Sequence, residues 1–261
     1  MGTSTRWPGP KNGVWRGPNI AFGKVGKLSS GLGGETAPFE PAVRVPAAET
    51  AVEDRLRRAI LQCLSALRDL LEADPDAYDL IPTMVRTGNN LLDVLTEIST
   101  GTDLLADSSD DADRRTRFVQ VFTERVVGVA AAPADAVARA AAVRSARKLL
   151  QNSNVAAAID RGAQVPLPDD LFCAIYELFL KSMLTEFIAG IAAAKLNLAL
   201  PFLYLIDPGG KIAEWIADGV TEHILDPCAE RGDSDDISLA DLGRDLLEEN
   251  VRRVLGLPIE S

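Results

Sequence analysis

The sequence predicts an all-α protein, a multi-helix bundle carrying a disordered, Gly/Pro-rich basic tail at its N-terminus. Three observations lead there. Apolar residues recur at three- and four-residue spacing through most of the chain after residue 47. Alanine, leucine and valine supply most of the apolar mass, and aromatic residues make up only 5% of the 261 residues, a composition that suits helices better than sheets. No strand-like alternation is sustained over six residues, and no repeat of fixed period is visible.

Residues 1–34 hold nine of the twenty glycines together with Pro8, Pro10 and Pro18, and no acidic residue. Glycine raises the entropic cost of ordering and proline removes backbone donors, so the segment is expected to form no packed element, with 35–46 continuing it as a linker. The helical domain is then expected over 47–258. Its first helix places Val52, Leu56, Ile60, Cys63, Leu64, Leu67 and Leu71 on one face behind Thr50 and Glu53, which read as a capping box, and Asp74-Pro75 ends it. A second stretch runs from about Asp79 to Ser99, softened by Pro82 and Gly88, with Leu91, Leu92, Leu95 and Ile98 facing inward. The Asp-rich segment 101–113 reads as a loop.

A third helix follows to about Ala130 through Phe118, Phe122 and Val126, and Pro133 separates it from an alanine-rich fourth at 134–150. A short piece at 153–161 stops at Arg161-Gly162. Pro168 and Asp169 open the most apolar helix, which carries Phe172, Ile175, Tyr176, Phe179, Met183, Phe187 and Ile188 as far as about Leu200. Beyond the turn at Pro208-Gly209-Gly210, a helix holds Ile212, Trp215, Ile216, Val220 and Ile224. The last starts at Ser238, with Leu242, Leu246, Leu247, Val251 and Val254 as its apolar face.

Charge divides the chain in the same way. Net charge is −11, and Arg6, Lys11, Arg16, Lys24 and Lys27 give residues 1–34 a charge of +5, leaving −16 on residues 35–261. An acidic body repels phosphates and anionic lipid, so nucleic acid is expected, if at all, through the basic tail. Trp7 and Trp15 beside these cations have the chemistry to stack on bases or fill a partner's pocket.

One histidine and three cysteines leave little material for a His-based triad, a zinc site or a disulfide framework. Cys63, Cys173 and Cys228 lie far apart in apolar helical surroundings and read as reduced, buried thiols. His223 sits near a helix end with no nucleophile motif beside it. The acidic pairs Asp110-Asp111, Asp169-Asp170, Asp235-Asp236 and Glu248-Glu249 read as solvated charge, because adjacent carboxylates point in different directions. Asp207-Pro208-Gly209-Gly210-Lys211 lacks phosphate-loop spacing. No catalytic residue, metal ligand set or cofactor is therefore expected. With no apolar leader at its start, the chain is read as cytoplasmic.

Residues 187–206 carry a single charge, Lys195, and ten large apolar side chains. At about −0.5 kcal/mol for each against about +3 for the lysine, insertion into a bilayer is only slightly favourable before Gly190, Asn197 and Pro201 are counted. The balance favours a buried core helix over a membrane-active effector.

The N-terminus carries the functional signal. Met1-Gly2 normally loses its methionine, exposing an unhindered α-amine whose pKa near 8 leaves on the order of a tenth of it nucleophilic at neutral pH. Myristoylation does not fit, because position 6 is Arg6 where that motif needs Ser or Thr.

The opening Met1-Gly2-Thr3-Ser4-Thr5, the following Trp7-Pro8-Gly9-Pro10, and more weakly Leu171-Phe172-Cys173-Ala174-Ile175-Tyr176-Glu177, resemble the B component of the bacterial Qat anti-phage defence operon. The resemblance covers the tail and about forty residues of the body. It implies a non-catalytic protein encoded beside an ATPase, a QueC-like enzyme and a nuclease-like hydrolase. It also implies that Gly2 accepts a deazaguanine-type group from the QueC-like enzyme, with Thr3, Ser4 and Trp7 recognised around it. The alternative expectation is a helical protein-interaction module or nucleic-acid adaptor working through the basic tail.

Overall fold

The structure, a computed structural model, describes residues 13–18, 20, 21, 24, 46–100, 105, 114–128, 133–164, 167–196, 224–231 and 237–259. All of the regular elements among these residues are helical and none is a strand, as periodicity and composition predict. Contacts group the chain into two units. One comprises Met1–Asp74 and Phe187–Gly219, the other Pro75–Glu186 and Val220–Ser261.

In the first unit, helix α1 (Pro46–Ala73) buries Leu56, Ile60, Cys63, Leu67 and Leu71 and leaves Arg57, Arg58, Arg68 and Asp69 in solvent. The amphipathic stripe is the one its spacing predicts. Its start is not. The helix opens at Pro46, where a missing N–H costs nothing, so Thr50 lies inside the second turn and cannot serve as the cap of a capping box.

A second correction is confined to residues 13–18 of the N-terminal segment, a stretch expected to form no packed element. Gly13–Trp15 form a 3₁₀ turn that packs on α1, and residues 16–18 continue it helically. Trp15 is completely buried and Pro18 is buried with it. Indole burial removes some 150–250 Å² from water, enough to offset the ordering cost that the neighbouring glycines impose.

The second unit is built around α2 (Leu80–Ser99), which packs against α3 (Arg114–Val127), α4 (Pro133–Gln151) and α8 (Leu239–Leu255). Pro82 falls in the first turn of α2, where it is tolerated. Gly88 is a contact point: a Cβ there would lie 2.7 Å from Leu247 Cδ1 of α8. The arrangement is reciprocal, since a Cβ on Gly243 of α8 would lie 2.9 Å from Leu92 Cδ2 of α2. Each helix thus offers a glycine to the leucine of the other, with Gly and Leu four residues apart on both. The buried face of α8 consequently centres on Gly243, Leu247, Asn250, Val251 and Val254, while Leu242 and Leu246 are only half-buried.

Side chains of α2 also finish its neighbours. Arg86 donates to the carbonyl of Val127 (2.6 Å) and to Asp135 in the first turn of α4 (2.5 Å), and Asn90 donates to the carbonyl of Val126 (3.0 Å). Carbonyls at the end of α3, which no further turn could pair, are satisfied this way. Gly128, at φ +70°, then turns the chain out of the helix.

Helix α5 (Ser153–Arg161) is capped at both ends, by the Asn152 side chain accepting from Asn154 and Val155 N–H and by left-handed Gly162. Arg115 of α3 grips Asp160 through two bonds of 2.8 and 2.6 Å, holding that exposed carboxyl below its ordinary pKa.

Helix α6 (Asp169–Leu196) buries Phe172, Ile175, Tyr176, Phe179 and Met183. No helix among the described residues is long and apolar enough to cross a membrane. Short α7 (Pro227–Arg231) precedes α8.

Candidate functional site

Gly2, Thr3, Ser4 and Trp7 lie outside the described residues, as do His223, Trp215 and the Asp207–Lys211 turn. Trp15 is described, and its burial withdraws it from the stacking role expected of the tail. The acidic pairs divide. Asp169 pairs with Arg231 of α7 (2.5 Å) and Glu249 with Arg253 one turn along α8 (2.5 Å), while Asp110-Asp111 and Asp235-Asp236 lie outside the described residues.

The buried-thiol expectation holds for Cys63 and fails for the other two. Cys173 in the first turns of α6 and Cys228 in α7 form a disulfide across a sequence separation of 55, with their Cα atoms 6.1 Å apart. Spacing along the chain carried no sign of it. The fold brings the first turns of α6 to α7, where Arg231 and Asp169 also meet.

A buried polar network lies deeper between α6 and α8. Asn250 Nδ2 donates to Tyr176 Oη (3.0 Å) and to the carbonyl of Leu225 (2.9 Å), and its Oδ1 accepts from Leu225 N–H (2.7 Å). Tyr176 Oη in turn donates to the carbonyl of Gly243 (3.3 Å). Burial pushes the phenol up to about 12, partly offset by the Asn250 bond. The geometry is that of a structural clamp. Its sequence signal was Asn250 itself, a lone amide among apolar positions of an amphipathic helix.

The surface offers a different feature. The outward face of α4 and the neighbouring Leu178 and Glu186 of α6 enclose a groove of about 700 Å³. Ala136, Ala140, Val143 and Leu178 supply apolar lining with short side chains. Arg139, Arg144, Arg147 and Lys148 supply four cations against one carboxylate, and that carboxylate, Glu186, is engaged by Arg144. Arg139, Arg147 and Lys148 are exposed and have no ion-pair partner among the described residues. Their spacing of eight residues and one puts them on the solvent side of a single helix, with the apolar residues between them. A concentration of unpaired positive charge stands out on a body whose net charge is −16. Residues 139, 143 and 147, with 140, 144 and 148, already share this face in the sequence.

These features place the chain in the all-α class. Comparison with protein-family models, with curated proteins and with solved structures returns no match.

Proposed function

We propose that the chain is a non-catalytic interaction component that binds a partner protein through the basic groove on α4 and presents Gly2 for covalent modification. The single observation carrying the docking half is the set of unpaired cations, Arg139, Arg147 and Lys148, around an apolar strip on an otherwise acidic body. An amphipathic helix with acidic flanks fits that chemistry, since its apolar stripe meets Ala136, Ala140, Val143 and Leu178 while its carboxylates meet the rim. A nucleic-acid duplex, which offers little apolar surface and is repelled by the rest of the body, fits it less well.

The Gly2 half rests on the Met-Gly-Thr-Ser opening and its resemblance to the Qat B component of anti-phage defence. In this reading a QueC-like partner activates a deazapurine carboxylate with ATP. The Gly2 α-amine attacks the activated acyl carbon, an amide bond forms, the nucleotide leaves and the amine's proton passes to solvent. A residue without Cβ leaves that attack unhindered. Thr3, Ser4 and Trp7 would be read by the enzyme as the tail enters its site.

Two measurements test the halves separately. Reversing the rim with Arg139→Glu, Arg147→Glu and Lys148→Glu should abolish co-purification with operon-encoded partners while the helical circular dichroism is retained. Undiminished partner binding refutes the docking reading, and loss of duplex DNA binding instead would make the groove a polyanion site. Intact mass spectrometry of protein co-produced with its operon neighbours should show an added group removed by Gly2→Leu. An unmodified mass in functionally active cells refutes the acceptor reading.

A further inference from the structure

Cys173, Cys228 and Asp226 converge at one point of the second unit: their sulfur and carboxylate oxygen atoms all lie within 4.8 Å of one another. Cys173 is buried in α6, Cys228 is half-buried, and Asp226 is exposed, so the site has a closed floor and an open mouth. The Asp226 side chain is held in place, since its Oδ1 accepts from Cys228 N–H (2.9 Å). The carbonyl oxygen of Asp169 stands 3.2 Å from Cys228 Sγ, a further oxygen beside the sulfurs. Tetrahedral zinc takes thiolate and carboxylate ligands at about 2.3 and 2.0–2.2 Å, which sets neighbouring ligand atoms some 3.5–4 Å apart. To reach that spacing the sulfurs must part, and the carboxylate oxygen already lies within 4.8 Å of both.

We propose that this cluster is a redox-gated metal site, a disulfide when oxidised and a zinc-type divalent cation site when reduced, with Cys173, Cys228 and Asp226 as ligands. The electrons come from a small-molecule thiol. Two such thiols reduce the Cys173–Cys228 bond, giving two protein thiols and one small-molecule disulfide. The divalent cation then displaces both thiol protons to solvent and binds two thiolates and the Asp226 carboxylate, with a fourth position left for water or the Asp169 carbonyl. Oxidation runs the sequence backwards, since forming the S–S bond withdraws both sulfurs and releases the ion. Either state ties α7 to the first turns of α6, and the two differ in what breaks the tie.

Cobalt(II) is the probe. Full-length protein reduced with a phosphine and freed of it should develop a thiolate-to-cobalt charge-transfer band and tetrahedral visible absorption at one equivalent, bleached by added zinc. The oxidised protein should show neither. Cys63→Ser should bind as the parent does, because that thiol is buried elsewhere in α1. Asp226→Asn keeps both cysteines, so it reports on the site even if a cysteine variant does not fold. Losing a direct ligand should weaken cobalt binding by at least the roughly 10- to 100-fold that outer-shell partners cost. No charge-transfer band from the reduced parent, an equal band from Cys228→Ser, or unchanged affinity in Asp226→Asn each overturns the proposal.

Discussion

Replacing Asn250 by leucine removes the centre of the clamp between α6, α8 and residue 225 while keeping the number and branching of side-chain heavy atoms. Three hydrogen bonds vanish: two to the backbone of Leu225 and one to Tyr176 Oη. At about 1 kcal/mol net for each, the variant should lose about 3 kcal/mol, and more where buried groups are left without partners. Leu225 is half-exposed and water can reach it, which keeps the loss near that figure. Tyr176→Phe removes the Asn250 and Gly243 bonds and should cost about 1–2 kcal/mol. The double variant should cost about 1 kcal/mol less than the sum, because both single changes remove the shared bond. Urea denaturation followed by circular dichroism measures all three, read at unchanged slope. A loss below about 0.5 kcal/mol for Asn250→Leu, or strict additivity of the pair, would refute the clamp.

The remaining predictions concern pH, the disulfide and the glycines. Because burial raises the Tyr176 phenol to about 12, the folded state keeps a proton that the unfolded state gives up above pH about 10. Stability should therefore be intact below pH 10, fall by roughly 2–3 kcal/mol as pH rises towards 12, and fall less in Tyr176→Phe, as alkaline denaturation midpoints would show. Reducing Cys173–Cys228 opens a closed loop with a separation of 55 and should cost up to about 4 kcal/mol without metal, seen as a lower urea midpoint. Gly88→Val drives side-chain atoms into Leu247 and should destabilise by about 2 kcal/mol or more, whereas Gly190→Ala, with nothing within 4 Å of the added carbon, should stabilise α6 by about 0.5–1 kcal/mol. Thermal melting distinguishes the two signs directly.

Helix periodicity made the body legible because most of its helices bury one stripe and are punctuated by residues with fixed backbone preferences. Asp74-Pro75, Pro133, Gly162 and Ser238 each fall at or beside an observed end. What escaped the sequence depends on a partner far along the chain. Trp15 looked exposed until α1 supplied a surface for it, and Gly88 looked like a weak point until Leu247 filled the space above it. Cys173 and Cys228 are ordinary buried positions on their own helices and become a pair only through the approach of α7 to α6. The cations of α4 lie on one helical face by spacing alone, but their significance comes from Leu178 and Glu186, which turn that face into a groove.

The Cys173–Cys228 link turns the middle of the polypeptide into a ring from which two arms emerge. A protease that cuts once anywhere between residues 174 and 227 therefore produces no free fragment. In denaturant the nicked molecule migrates as one species until a reductant separates its halves, wherever the cut fell.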